Sequence, residues 1–303
     1  MNFSQYLKNL EPPCGAVDVI LDTDTYNEVD DQYAMAYLLH SLDRVNLVGI
    51  TAVPFFNKMS VSPQDGMEKS YDEIMNILTL DKKEYLKSIV HRGASEYLPD
   101  EKTYVDCAAA RFIADTAKKY SPEKPLYVVA IGAGTNLASA ILMEPEAIKE
   151  NTVIVWLSGH AKEWPDTAEF NMKQDIAAAR VIFGCGAPLV QLPCMGVVSA
   201  FTTTKHELIH WLEGKSPLAE YLLHRVIDKY PNETAWSRCL WDVTAVAWLF
   251  NEGERFMKSY LIPSPIPQYD FHYSFDPARH PIRYVYHIKR DPLFTELFTK
   301  IAE

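Results

Sequence analysis

One repeated alternation limits this chain more than any other feature. Short β-rich apolar runs at residues 17–21, 45–53, 126–131, 153–157 and 189–192 are each bounded by turn residues and read as buried strands. Helical patterns accompany them at 31–40, 69–78, 108–119, 136–143, 176–183 and 243–250. Strands that are apolar throughout are covered on both faces. The pattern therefore predicts an α/β fold: a Rossmann-like, mostly parallel sheet with helices on both faces. A chain of 303 residues can build such a core without disulfides or a structural metal, and a single domain over 1–303 is expected. Residues 262–281 are irregular and rich in proline and aromatics, and they read as a lid or a subunit contact in a homo-oligomer. The segment RYVYHIKR at 283–290 reads as an antiparallel edge strand, and 291–303 as a closing helix.

Charge and cysteine usage narrow the function. Lys and Arg total 29 against 40 Asp and Glu, a net charge of −11 that repels phosphate backbones and anionic lipid. Nucleic acid and membranes are thus excluded as expected partners. Two uncharged stretches, 126–143 and 181–204, are broken by glycine, proline or both and read as strands meeting loops and helices. The opening MNFSQYLKNLEPP has no signal-peptide pattern, and the five cysteines are odd in number and lack CxxC spacing. Both features favour a reducing, cytoplasmic setting.

The chemistry is concentrated in VDVILDTDTYNEVDDQYAMAYLLH at 17–40. A strand there runs straight into Asp22, Asp24, Glu28, Asp30 and Asp31, and a helix starts at the last pair. Helix capping and the helix dipole account for Asp30 and Asp31 but not for five acids. Two carboxylates about 5 Å apart repel by roughly 3 kcal/mol at an effective dielectric near 20. No basic residue lies between positions 9 and 43, so the cluster calls for shared protons or a hard divalent cation.

LDTDTYNEVDD resembles the DxDPGxDD signature of the nucleoside hydrolases, calcium-dependent N-ribohydrolases. Further matches follow in the family's order: GAGTN at 132–136 resembles its GPLTN turn, AEFNMKQDIAAA at 168–179 its AEFNxxxDPEAA segment, and WDVTAVAWL at 241–249 its HDPxAxAxxL helix. VHRGASEYL at 90–98 matches the VxxGAxxPL segment more weakly. The resemblance implies a calcium ion held by Asp24, Asp31, Asp242 and the carbonyl of Ile131, with Asp30 on the sugar 2′-hydroxyl. It also implies that Glu169 and Asn171 bind ribose hydroxyls and that Asn57 is a pocket residue. The implied reaction is hydrolysis of the N-glycosidic bond of a ribonucleoside or related small-molecule glycoside through an oxocarbenium-like transition state. Asp24 is then the base for the attacking water, and Asp30 its catalytic partner on the sugar.

The chain also departs from the family pattern. TYNEV replaces the three-residue PGx, which makes the acidic loop two residues longer and frees Tyr26, Asn27 and Glu28 to enter the pocket, Glu28 as a substitute ligand. Trp241 stands where some members place a histidine as leaving-group acid. A purine-specific subgroup stacks a tryptophan there, so a purine substrate is expected. The family's GNxTP asparagine is missing from LSGHAKEWPDTAEFN, which offers His160, Glu163 and Trp164 instead, with His160 a candidate acid. Two other readings compete: a haloacid-dehalogenase-like phosphatase, since ILDTDT fits DxDxT with Asp22 as nucleophile, and a non-catalytic calcium-stabilised binding protein.

Overall fold

The computed structural model describes residues 1–229 and 235–303. Its strands, in chain order, are β1 (Val17–Thr23), β2 (Val45–Ala52), β3 (Val90–His91), β4 (Leu126–Ala130), β5 (Thr152–Leu157), β6 (Leu189–Leu192), β7 (Thr202–Thr204), β8 (Ser237–Cys239), β9 (Met257–Pro263), β10 (Ile266–Pro267), β11 (Tyr273–Ser274) and β12 (Pro281–Ile288). Eight of them form one sheet in the order β3-β2-β1-β4-β5-β6-β12-β9. Pairing is parallel from β3 through β12, and β9 alone runs antiparallel, against β12. The expected α/β sheet is therefore present. β7 pairs with β8, and β10 with β11, in two small antiparallel sheets outside it.

Strand side chains alternate between two cores. Val19 and Leu21 pack with the helices Asp30–Leu39, Val243–Trp248 and Arg290–Ala302, whereas Ile20, Val128 and Ile154 pack with Ala108–Ala117, Thr135–Met143 and Ile176–Gly184. Every residue of the helix Asp30–Leu39 is buried, which explains why its sequence lacks a polar stripe. The helix Pro63–Leu80 begins six residues before the periodic pattern does, because Ser62 caps Asp65 N at 3.1 Å and Pro63 occupies the first turn.

RYVYHIKR is not the sheet edge. β12 lies second from the edge, paired in parallel with β6 at Arg283 and Tyr284, and the edge strand is β9. Continuous burial from Ile282 to Val285 fits an inner strand, and only the end of the segment reaches solvent. β9 carries Tyr260 and Leu261 about two-fifths exposed, so its pattern is that of a loop. Residues 262–281 contain the end of β9, the β10–β11 hairpin and the start of β12.

From β1 the chain moves toward β2 on one side, and from β4 toward β5 on the other. The crevice beyond the carboxyl ends of β1 and β4 is thus the topological switch point, where open parallel sheets bind ligands. Two bonds carry the pairing past the strand ends, from Ile131 N to the Asp22 carbonyl (2.8 Å) and from Val53 N to the Thr23 carbonyl (2.9 Å). Among the described residues no helix is long and apolar enough to cross a membrane, and all five cysteines are free thiols.

Candidate active site

Asp22 closes the core beneath the crevice. Its Oδ1 accepts from Thr51 Oγ1 (2.6 Å) and Asn136 Nδ2 (2.9 Å), and Asn136 also donates to the Ala52 carbonyl and accepts from Ala94 N. Burial raises the Asp22 carboxyl to about 7. Asp22 fastens β1 to β2 and to the helix Thr135–Met143, and it does not line the crevice. The phosphatase reading, which needs Asp22 as an exposed nucleophile, is corrected on that ground.

Four other carboxyls converge above it. Oxygens of Asp30, Asp31 and Asp242 lie within 4.8 Å of one another, and Asp24 lines the same crevice. Burial lifts all four above the usual carboxylate range, and the neighbouring acids add to it for Asp24, Asp31 and Asp242; Asp30 reaches about 6. Asp30 and Asp31 occupy the first helical turn, whose N-cap is Val29, so neither acid serves as the cap. Asp242 stands at the N-cap position of Val243–Trp248 and makes no capping bond. Asp31 is oriented instead by Thr23 Oγ1 (2.6 Å), itself bonded to Thr25 Oγ1. Both oxygens of Asp24, Oδ1 of Asp30 and Oδ1 of Asp242 are buried with no hydrogen-bond partner. Buried, orphaned, all-oxygen donors fit a hard divalent cation.

One cation of the protein reaches this cluster from far along the chain. Arg238 on β8 is bonded to Glu28, and its Nη2 lies 3.8 Å from Asp30 Oδ1. Nothing in the sequence signalled it, because 210 positions separate Arg238 from Glu28.

The opposite wall comes from the segment after β5. Glu169 is the N-cap of Phe170–Gln174 and accepts from Asn171 N (2.8 Å), Met172 N (2.9 Å) and Gly159 N (3.0 Å). Its carboxylate is thus largely engaged in building the wall, and burial raises its pKa. Asn171 spends both Nδ2 hydrogens on the Ile131 and Leu157 carbonyls (3.1 Å each), which leaves its Oδ1 as an acceptor and one lone pair on Ile131 O. Asp175 caps Ala178 N and also accepts from Leu98 N and Thr135 Oγ1, so its role is structural. Gly159 is sterically required, since at φ +71° a Cβ there would lie 2.1 Å from Tyr273 Oη, and one on Gly132 would crowd Asp24 Oδ1 at 3.1 Å.

These elements enclose a cavity of about 330 Å³, the size of a small-molecule site. Asp24, Asp30, Asp31, Asp242, Ile131, Glu169, Asn171, Asn57, His160 and Trp241 all line it, together with Asn27 and Glu28 of the long loop. Trp164 does not. It is two-fifths exposed, against the edge of His160 (6.1 Å between centroids), because 161–164 form a surface turn closed by Trp164 N to the Ala161 carbonyl. Asn57 reaches the wall but binds Asn27 Oδ1 at 2.5 Å. Phe170, Leu157, Cys194 and Met195 complete the lining, and the sequence reading assigned none of these. Of them Phe170 alone carried a signal, by standing inside the EFN segment. Met195 N donates to His160 Nδ1 (3.3 Å), which makes Nε2 the proton-bearing nitrogen of the neutral ring, and burial lowers the pKa of that ring.

The family described as "Inosine-uridine preferring nucleoside hydrolase" matches residues 19–276. Among curated proteins, "Probable uridine nucleosidase 2" of Arabidopsis thaliana is 25% identical over 234 residues, 70% of this chain and 69% of that one. Among solved structures, a plant nucleoside hydrolase superposes with a TM-score of 0.74 at 17% identity, covering 94% of this chain and 99% of its own. A purine-preferring ribonucleoside hydrolase from Gardnerella vaginalis superposes with a TM-score of 0.69 at 21% identity, covering 94% and 98%. At these identities the structural likeness concerns the fold.

Proposed function

The chain belongs to the inosine-uridine preferring nucleoside hydrolase family and is a glycosidase of the N-ribohydrolase kind, and from that premise we propose that it hydrolyses purine ribonucleosides with a calcium ion in the acidic crevice. The observation that carries this reading is the set of orphaned, buried carboxylate oxygens at the switch point.

Asp24, Asp31, Asp242 and the free lone pair of the Ile131 carbonyl would hold the ion. Calcium suits an all-oxygen shell of flexible geometry. When bound, it supplies Lewis acidity that lowers the pKa of water in the site. Among the described residues Asp30 is the one of the four carboxylates paired with a cationic side chain, so it is assigned to the sugar 2′-hydroxyl. Asp24, with both oxygens unengaged, takes the proton of the attacking water. Cleavage develops positive charge at the anomeric carbon, and the buried carboxylates face it in a low-dielectric pocket. Asn171 offers Oδ1 to a ribose hydroxyl, and Glu169 holds Asn171 in place through its main chain. The half-buried indole of Trp241 provides the stacking surface for the base, and His160 contributes one Nε2–H donor. Five free thiols support a reducing compartment such as the cytoplasm, where the released base would enter purine salvage.

The test is kcat/KM for inosine and guanosine against uridine and cytidine, in the wild type and in Trp241→Ala. Stacking contributes about 0.5–1.5 kcal/mol beyond area burial, so the variant should lose up to about tenfold of its purine preference. Equal losses on purines and pyrimidines would make Trp241 a packing residue, and a wild-type preference for uridine would refute the purine assignment.

A further inference from the structure

The loop 25–29, which departs from the family signature, is fastened from outside at three points. The Arg225 guanidinium lies over the Tyr26 ring at 5.4 Å, Asn57 bonds Asn27, and Arg238 bonds Glu28. The third contact does more than anchor a loop. The Nη2 of Arg238 that meets Glu28 also faces Asp30 Oδ1 at 3.8 Å, and that oxygen is buried without a hydrogen bond. Glu28 has a side chain 46% exposed and Asp30 one 3% exposed, with Arg238 between them at 22%. Water screens the pair with Glu28, whereas the attraction toward Asp30 acts in a buried, weakly screened setting.

We propose that Arg238 is a positioning residue of the sugar subsite, holding the Asp30 carboxylate in the orientation that grips the substrate's 2′-hydroxyl. A guanidinium suits this task because its donors are fixed in a plane, so one end can bind Glu28 while still directing Asp30. The longer loop then has a purpose: it brings Glu28 to the position that aligns Arg238. The inference rests on the ribonucleoside reading above and adds to it a residue that sets ribose against 2-deoxyribose.

The experiment compares kcat/KM for inosine and 2′-deoxyinosine in the wild type, Arg238→Met, Arg238→Lys and Glu28→Gln. Arg238→Met should lose at least tenfold more on inosine than on 2′-deoxyinosine, and Arg238→Lys should recover part of the difference. Glu28→Gln, which keeps an acceptor oxygen for the guanidinium, should retain most of the discrimination. Equal losses on both substrates in Arg238→Met would overturn the proposal. Thermal shifts with ribose and 2-deoxyribose read the same contact without turnover. Wild type should be stabilised more by ribose, and Arg238→Met equally by both. A wild type that favours ribose in melting yet cleaves no nucleoside would refute the hydrolase reading while leaving Arg238 supported. A variant that keeps the wild-type ribose preference would refute Arg238 alone.

Discussion

Replacing Asp242 with asparagine should make the metal-free protein more stable, the opposite of what loss of a helix cap would do. Asp242 has oxygens within 4.8 Å of Asp30 and Asp31. At that separation two full charges repel by about 3.5 kcal/mol at an effective dielectric near 20, so two such neighbours cost about 7 kcal/mol if all three are ionised. Protonation limits the penalty: holding a carboxyl of ordinary pKa 3.8 neutral at pH 7 costs about 4 kcal/mol. Asparagine avoids both costs and can donate to the neighbouring carboxylates, so the chelated variant should gain about 2–4 kcal/mol, or about 3–6 °C in Tm for a chain of 303 residues. In calcium that advantage should shrink toward zero. Wild type gains about 2.7 kcal/mol at a hundredfold excess of ion over Kd, and the variant forfeits most of that gain. If Asp242 were only a cap, the variant would lose about 1 kcal/mol under both conditions. Differential scanning calorimetry of both proteins, chelated and calcium-loaded, separates the cases. A variant less stable than wild type in chelator, or one with an undiminished calcium shift, would refute the reasoning.

Asp24→Asn should lower turnover by at least about a thousandfold with the fold intact, since it removes a cation ligand and the base together. Asp175→Asn should keep turnover within a few-fold but melt earlier, because its carboxylate accepts from Leu98 N, Ala178 N and Thr135 Oγ1. Calcium affinity should rise with pH. The cluster carboxyls sit above their ordinary values in the folded state, Asp30 at about 6, so the metal-free fold holds protons that the unfolded chain has released. That contribution is full below about pH 4 and is lost as pH rises through the folded values, whereas bound cation replaces the protons. The calcium-induced Tm shift should therefore grow between pH 5 and 8, and a constant shift would exclude shared protonation.

The parts legible in the sequence were those whose physics is local. An apolar run, an acidic loop and a helix lie within residues 17–40, and their order alone placed Asp24, Asp30 and Asp31 at a strand's carboxyl end. Asn171, Ile131 and Asp242 were found because motifs mark them. β9 escaped because an edge strand with exposed Tyr260 and Leu261 lacks the buried pattern, and β12 was set at the edge because its parallel partner β6 lies about ninety residues earlier. Trp164 was misplaced because residue type says nothing of which way a turn faces. Arg238 was invisible: its partners come from loop 25–29 and the next helix, and the long-range β7–β8 pairing brings it there.

The most direct test strips the protein of metal and follows ribose and base released from inosine as calcium is added back. The account predicts no release in chelator and a one-to-one yield of ribose and hypoxanthine that saturates with calcium. It also predicts that Asp24→Asn releases neither. Absence of ribose release from inosine, guanosine, uridine and cytidine at saturating calcium, or release at the same rate in chelator, would contradict it.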